Sequence, residues 1–294
     1  MRRAPGRFGR MRGVTDASDQ PPHATDPGAG SVPRSPVVLS IGEIVGSAGR
    51  KALGRVLPQL RADHQPDLVI VNGENAAGGI GINARSVDEI MRAGADVITL
   101  GNHAYRQHDV HDLLNDRDEL LRPANHLASQ PGHGSCVVER GGIRFGVVNL
   151  MGNVFMESGR HAFSEIDAVL AKIRKKCDHV IVDFHAEATS EKVAMGWHLD
   201  GRVSAMVGTH THIPTADLRV LPGGTAYITD LGMTGSRDGV IGMERDPSVR
   251  RFVTHMHQRY EPAEKDPWLM GVKITLDLVE RNRATAIEQL LIKA

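Results

Sequence analysis

The chain has 294 residues, with 35 Lys and Arg against 35 Asp and Glu, so no net charge draws it to nucleic acid or to an anionic membrane. Two cysteines, Cys136 and Cys177, are too few for a disulfide framework or a cysteine zinc site and fit a reducing cytoplasm. No apolar run is long enough to span a bilayer, while the length allows a substantial buried core.

Residues 1–35 are rich in Arg, Gly, Pro, Ser and Asp and lack apolar periodicity. That composition predicts a disordered extension, without the apolar stretch of a secretory signal, ahead of a domain over 36–294. Val37–Ile41 reads as a buried strand and Gly42–Gly46 as a loop; Gly49–Leu60 reads as a helix with Leu53, Val56, Leu57 and Leu60 on one face. Val69–Val71 is the second strand. Ser86 and Glu89 have the spacing of a capping box for a helix ending near Gly94, and Val97–Leu100 is the third strand. A helix is expected around His108–Asn115, then an antiparallel pair, Ser135–Glu139 and Arg144–Leu150, joined through Arg140-Gly-Gly-Ile143.

Phe163–Lys176 is amphipathic, with Ile166, Val169, Leu170 and Ile173 inward; His179–Phe184 is a strand and Ser190–Leu199 a helix. Further strands are expected at Ala205–Val207, Thr225–Thr229, Gly271–Leu278 and Ala286–Ile292, and Pro247 is placed to begin a helix through His257. Alternating strand and helix, followed by antiparallel strands, predicts an α/β fold of two packed mixed sheets flanked by helices.

Polar residues recur just beyond the strands: Glu74 and Asn75 after Leu68–Val71, Asn102 and His103 after Val97–Leu100, His185 closing the run from His179, and His210 and His212 after Ala205–Val207. Open α/β sheets bind ligands beyond the carboxyl ends of their strands. Singly, the asparagines are ordinary turn residues, Glu74 a solvated carboxylate, His185 a core histidine and the His210–His212 pair loop histidines. Together they exceed what one metal needs. Imidazole mixed with hard oxygen donors suits Fe, Mn, Zn or Co. Two such ions about 3.5–4 Å apart can hold a bridging hydroxide and clamp phosphate oxygens, which points to phosphate-ester hydrolysis.

The segments Gly42-Glu-Ile-Val-Gly46, Asn72-Gly-Glu-Asn-Ala-Ala77, Gly101-Asn-His103, Arg122-Pro-Ala-Asn125, Val182–Glu191, Met195-Gly-Trp197, Leu199–Ser204, Val207-Gly-Thr-His-Thr-His212 and Thr229–Gly235 resemble the YmdB-like branch of the calcineurin-type metallophosphoesterases, in register from about Val37 onward. The resemblance implies a four-layer αββα fold, 2′,3′-cyclic-nucleotide 2′-phosphodiesterase activity and a di-iron or di-manganese centre. It places Glu43, Glu74, Asn75 and His212 on one metal, Glu74, Asn102, His185 and His210 on the other, and His103 as proton donor.

Two positions depart from the family pattern. Glu43 stands where aspartate is usual, moving the carboxylate by roughly 1.5 Å. Arg106 stands where an aspartate is usual, reversing a charge close to His103. A protein phosphatase or nucleotidase on the same centre, or a catalytically weakened regulatory homologue, are the alternatives. The expected partner is a small phosphate ester or cyclic nucleotide, with no membrane and no dedicated duplex nucleic acid; assembly into a homo-oligomer stays open. Asp183 reads equally as a group orienting His185 or as a helix cap, whereas Arg122, Arg202 and Arg237 read better as surface or structural pairs than as phosphate contacts, and Trp197 better as packing than as a base platform.

Overall fold

In the computed structural model of the chain, which describes residues 34–157 and 159–294, strand and helix alternate from the start. The predicted extension lies outside the described residues except for Arg34 and Ser35. The first half runs β1 (Val37–Ile41), β2 (Glu43–Ile44), α1 (Gly46–His64), β3 (Leu68–Asn72), α2 (Ala84–Ala93), β4 (Val97–Thr99), α3 (Val110–Asp116) and β5 (Leu120–Leu121). There follow β6 (Ser135–Arg140), β7 (Ile143–Met151), α4 (Ala162–Ile173), β8 (His179–His185), α5 (Thr189–Leu199), β9 (Ala205–Thr209) and β10 (Arg219–Val220). The chain closes with β11 (Ala226–Ile228), β12 (Met233–Ser236), α6 (Arg245–Thr254), β13 (Pro267–Leu276) and β14 (Ala284–Lys293).

The strands form two mixed sheets. One has the order β2-β12-β13-β1-β3-β4-β5, with β14 also on β13; the other has the order β10-β11-β9-β8-β7-β6. Within them β1, β3, β4 and β5 are parallel, as are β7, β8, β9 and β11. These strands read as continuous apolar runs because both faces are buried. Alternate residues divide between layers. Val38, Leu68, Ile70, Phe145, Val147, Ile181 and Val207 share the core between the sheets. Leu39, Val69 and Val71 pack with Leu53, Leu57 and Ile90 of α1 and α2, while Val180 and Val182 pack with Ile166 and Leu170 of α4. The expected αββα architecture is therefore present. Among the described residues no helix is long and apolar enough to cross a membrane.

Several local expectations are corrected. The Gly42–Gly46 loop contains β2, because Glu43 and Ile44 pair in parallel with Met233 and Thr234, a partner far away in sequence. The first helix starts at Gly46 and runs to His64. In α2 the cap is Asn83, whose side chain accepts from the Ser86 amide, and Glu89 instead meets Arg50 and Arg85. Pro247 is the third residue of α6, which ends at Thr254. The β6–β7 turn is as expected: Gly141 and Gly142 take φ of 57° and 80°, the mirror-image turn that suits strand twist.

Candidate metal centre

The carboxyl ends of β3, β4, β8 and β9 meet at one edge of the two sheets, and β2 brings Glu43 to the same place. Gly101 makes room for the convergence: a Cβ there would lie 1.8 Å from Glu74 Oε2 and 2.3 Å from His185 Nε2. His210 and His212 leave β9 with left-handed φ of 100° and 65°, so the run does not stay extended and the two imidazoles reach the centre from a bent loop.

Each predicted residue belongs to one connected network. Glu43 is fully buried; its Oε2 meets His212 Nε2 and accepts from Asn75 Nδ2 at 3.1 Å, and its Oε1 lies 3.2 Å from His185 Nδ1. Nε2 of His185 is surrounded by Glu74 Oε2 at 2.9 Å, Asn102 Oδ1 at 3.0 Å and His210 Nδ1 at 3.1 Å. Glu74 Oε1 lies 3.2 Å from both the backbone N and Nδ1 of His103, and the same imidazole donates to Asn75 Oδ1 at 3.0 Å.

The donor set fits cations. Glu43 Oε1 and Glu74 Oε2 are buried without a well-directed hydrogen bond, although His185 is in reach of both. One proton on His185 Nε2 cannot satisfy the Glu74 and Asn102 oxygens and the His210 imidazole at once, whereas a cation can accept from all of them. Donor atoms of Glu43, His185 and His210 all lie within 4.8 Å of one another. Asn75 would ligate through Oδ1, which requires its amide to turn, since Nδ2 now faces Glu43 and His212.

The electrostatics follow from burial opposed by pairing. Burial alone would raise Glu43, but His212, His185 and His210 hold its carboxyl well below the usual range. Burial would lower His212, yet Glu43 and the Ile241 carbonyl push it up to about 9. His185 rises to about 8 because Glu74, Glu43 and Asp183 outweigh its burial. His210 is lowered, by burial first and then by His185. His103 is also lowered: burial dominates, Glu74 opposes it, and His185 and Arg106 add to it. Cations entering here would displace protons held between imidazoles and carboxylates.

Residues outside the predicted ligand set hold the orientation, Asp183 among them and others that the sequence reading passed over. His185 Nδ1 donates to Thr209 Oγ1 at 3.0 Å, and the Thr209 hydroxyl donates to Asp183 Oδ1 at 2.7 Å, which leaves Nε2 for the centre. Asp183 also accepts from Asn72 Nδ2 at 3.1 Å, and Asn72 Oδ1 accepts from the Glu74 amide at 3.1 Å. Thr211, between the two loop histidines, donates from N and Oγ1 to Asp230 at 3.1 and 2.7 Å; Asp230 is paired with the buried Lys192 at 2.7 Å. The sequence signal for Thr209 was its place directly before His210.

A cavity of about 640 Å³ opens on Asn75, His103, His210 and His212. Arg122, Arg202, Arg237 and Trp197 do not line it. Arg122 bonds the Pro123 carbonyl at 2.8 Å, Arg202 bonds Asp167 at 2.6 Å and Arg237 lies over Trp268 at 4.5 Å.

A centre of buried Glu43, Glu74, Asn75, His185 and His212, with His210 half-buried and Asn102 exposed, at the shared edge of two packed sheets marks a hydrolase of the metallophosphoesterase class. The model of the YmdB-like protein family matches residues 39–290, and the chain belongs to that family. It is 44% identical over 255 residues to the 2′,3′-cyclic-nucleotide 2′-phosphodiesterase of Bacillus subtilis strain 168, covering 87% of this chain and 96% of that one. A crystal structure of a hypothetical protein from Thermus thermophilus superposes with a TM-score of 0.82 at 39% identity, covering 87% and 99%. That of a novel phosphatase from Mycoplasma pneumoniae gives 0.82 at 34% identity, covering 88% and 94%.

Proposed function

We propose that this enzyme hydrolyses 2′,3′-cyclic nucleotides to nucleoside 3′-phosphates at a dinuclear centre. The observation that carries the reading is the convergence of Glu43, Glu74, Asn75, Asn102, His185, His210 and His212 around unsatisfied buried carboxylate oxygens, with His103 lining the adjoining cavity. Glu43, Glu74, Asn75 and His212 would hold one cation and Glu74, Asn102, His185 and His210 the other, iron or manganese before zinc or cobalt. Such ions supply Lewis-acid polarisation of the phosphoryl oxygens and a water of lowered pKa.

The protein's own groups do the rest. Glu74 fixes His103 by both its backbone N and Nδ1. That leaves His103 Nε2 to carry the proton passed to the ribose 2′ oxygen as the P–O2′ bond breaks. The 3′ ester bond is retained. Ile80, Ile241 and Phe252 wall the cavity and limit water beside the reacting phosphate. A bounded cavity of this size suits a small ester better than the broad surface a phosphoprotein needs.

The deciding experiment is turnover of 2′,3′-cAMP by metal-reconstituted protein, with the product identified and His103→Ala alongside. Formation of 3′-AMP that falls about 10²–10⁴-fold in His103→Ala supports the proposal. No hydrolysis despite two bound metals per chain would favour the regulatory alternative, and release of 2′-AMP would reverse the proposed leaving group.

A further inference from the structure

Strands β12 and β13 are antiparallel neighbours, with Gly235 opposite Trp268 and the Arg237 amide bonded to the Asp266 carbonyl at 3.0 Å. Such a pair can be closed by two to five residues. Instead, about 30 residues, 237–266, stand between them. The stretch carries helix α6 and two long connections, far more chain than closing the pair requires. It is folded back on itself: Val240 bridges Met243, Met243 bridges Pro262, and the Glu244 amide bonds the Glu261 carbonyl at 2.8 Å.

Its inward side chains are the apolar side of the catalytic cavity. Val240, Ile241, Met243, Phe252 and Tyr260 line it, with Ile80 from the loop after β3. Ile80, Ile241, Phe252 and Tyr260 are all at least 38% exposed, so folding does not bury them in a core. Exposed apolar side chains grouped beside a polar centre mark a ligand groove. Among the described residues no Lys or Arg lines the cavity. The guanidinium of Arg251 lies outside the lining and over the Tyr260 ring at 5.7 Å, so a second phosphate finds no cation on the wall itself, whereas an uncharged planar group attached to the reacting phosphate finds two aromatic rings. Ser248 lines the same wall, but its hydroxyl already donates to the Glu244 carbonyl at 2.7 Å.

We propose that the 237–266 excursion is a nucleobase subsite, with Phe252 and Tyr260 as its aromatic contacts; this rests on the cyclic-nucleotide reading above. The wall has few hydrogen-bonding groups for base edges, so it selects by stacking area. Purine esters are bound more tightly than pyrimidine esters, and adenine and guanine are barely distinguished.

The test compares 2′,3′-cAMP with methyl riboside 2′,3′-cyclic phosphate, which lacks the base, on metal-loaded wild type, Phe252→Ala/Tyr260→Ala and Val253→Ala. Val253 is 74% exposed on α6 and does not line the cavity. The expected KM gap between the substrates is on the order of tenfold in wild type and Val253→Ala and close to nothing in the double variant. A wild-type gap of one, or a gap that survives in the double variant, overturns the subsite. If wild type hydrolyses neither ester, the phosphodiesterase reading fails separately. Calorimetric binding of 3′-AMP against ribose 3-phosphate then decides the subsite by the same gap and the same collapse.

Discussion

Nδ1 of His212 donates to the carbonyl oxygen of Ile241 at 2.8 Å, and Ile241 holds a left-handed φ of 47°. A β-branched residue in that region costs on the order of 1–3 kcal/mol, and the strain here sits at the centre itself. The bond turns the imidazole so that Nε2 faces Glu43 and Asn75. Because Ile241 belongs to the 237–266 excursion, the segment that walls the cavity also orients His212, a proposed ligand of the centre.

Metal counting tests that arrangement. His212→Ala is expected to retain one metal per chain where wild type retains two. Ile241→Gly keeps the carbonyl and suits the backbone, so it is expected to retain both. Elemental analysis after gel filtration gives the numbers. Two metals in His212→Ala would remove His212 from the ligand set.

Glu43 is fitted to its place. Its carboxylate touches His212, Asn75 and His185 together. Aspartate would withdraw it by roughly 1.5 Å and leave space behind a fully buried side chain. Glu43→Asp is therefore expected to weaken metal binding about tenfold or more, and to lower turnover at limiting metal. A gain in turnover would mean that the glutamate detunes a site shaped for the shorter acid.

The strands were legible because parallel strands buried on both sides show as unbroken apolar runs, and the convergence of the candidate site residues because each follows such a run. β2 was hidden: two residues carry no pattern, and their hydrogen-bond partners lie at Met233 and Thr234. The α2 start was misjudged because Ser86 and Glu89 have capping spacing, while Asn83, three residues earlier, supplies the cap. Thr209, at the end of β9, and Ile241 act through a hydroxyl and a carbonyl whose direction only the folded chain decides. The cavity wall was missed for a related reason, since Phe252 and Tyr260 look like ordinary surface positions until the excursion folds back.

Lys192 and Asp230 form a buried pair 1% and 0% exposed that holds Thr211 between His210 and His212. Removing the cation strands a buried carboxylate. Lys192→Met is expected to cost about 3–5 kcal/mol, seen as a lower urea midpoint at unchanged slope. Metal affinity should fall with it because the histidine loop loses its anchor. Destabilisation below about 1 kcal/mol would show that the backbone bonds to Asp230 suffice.

His126 is buried with Nδ1 unpartnered beside the Tyr105 ring, and burial, with Arg122 nearby, pushes its pKa down to about 4. The unfolded chain takes up this proton near pH 6.5 and the folded chain only near 4, so stability rises with pH across that window. Acidification from 6.5 to 4 should cost roughly 3 kcal/mol through this group, with no further loss below. His126→Phe keeps the ring contact and should flatten that part of a urea-midpoint titration. An unchanged slope would assign the acid sensitivity elsewhere.

Arg106 is exposed, and no carboxylate pairs with it among the described residues. Its charge adds to the burial that lowers His103. As a proton donor His103 must be protonated, so a lower pKa moves the alkaline limb of the rate profile to lower pH. Arg106→Asp removes a cation and adds an anion, which raises the His103 pKa and moves that limb upward. Arg106 does not line the cavity, so KM should change little as the limb shifts. The profile of kcat against pH in wild type, Arg106→Asp and His103→Ala tests the shift. A limb that stays in place in Arg106→Asp, or one that persists in His103→Ala, would mean that another group delivers the proton.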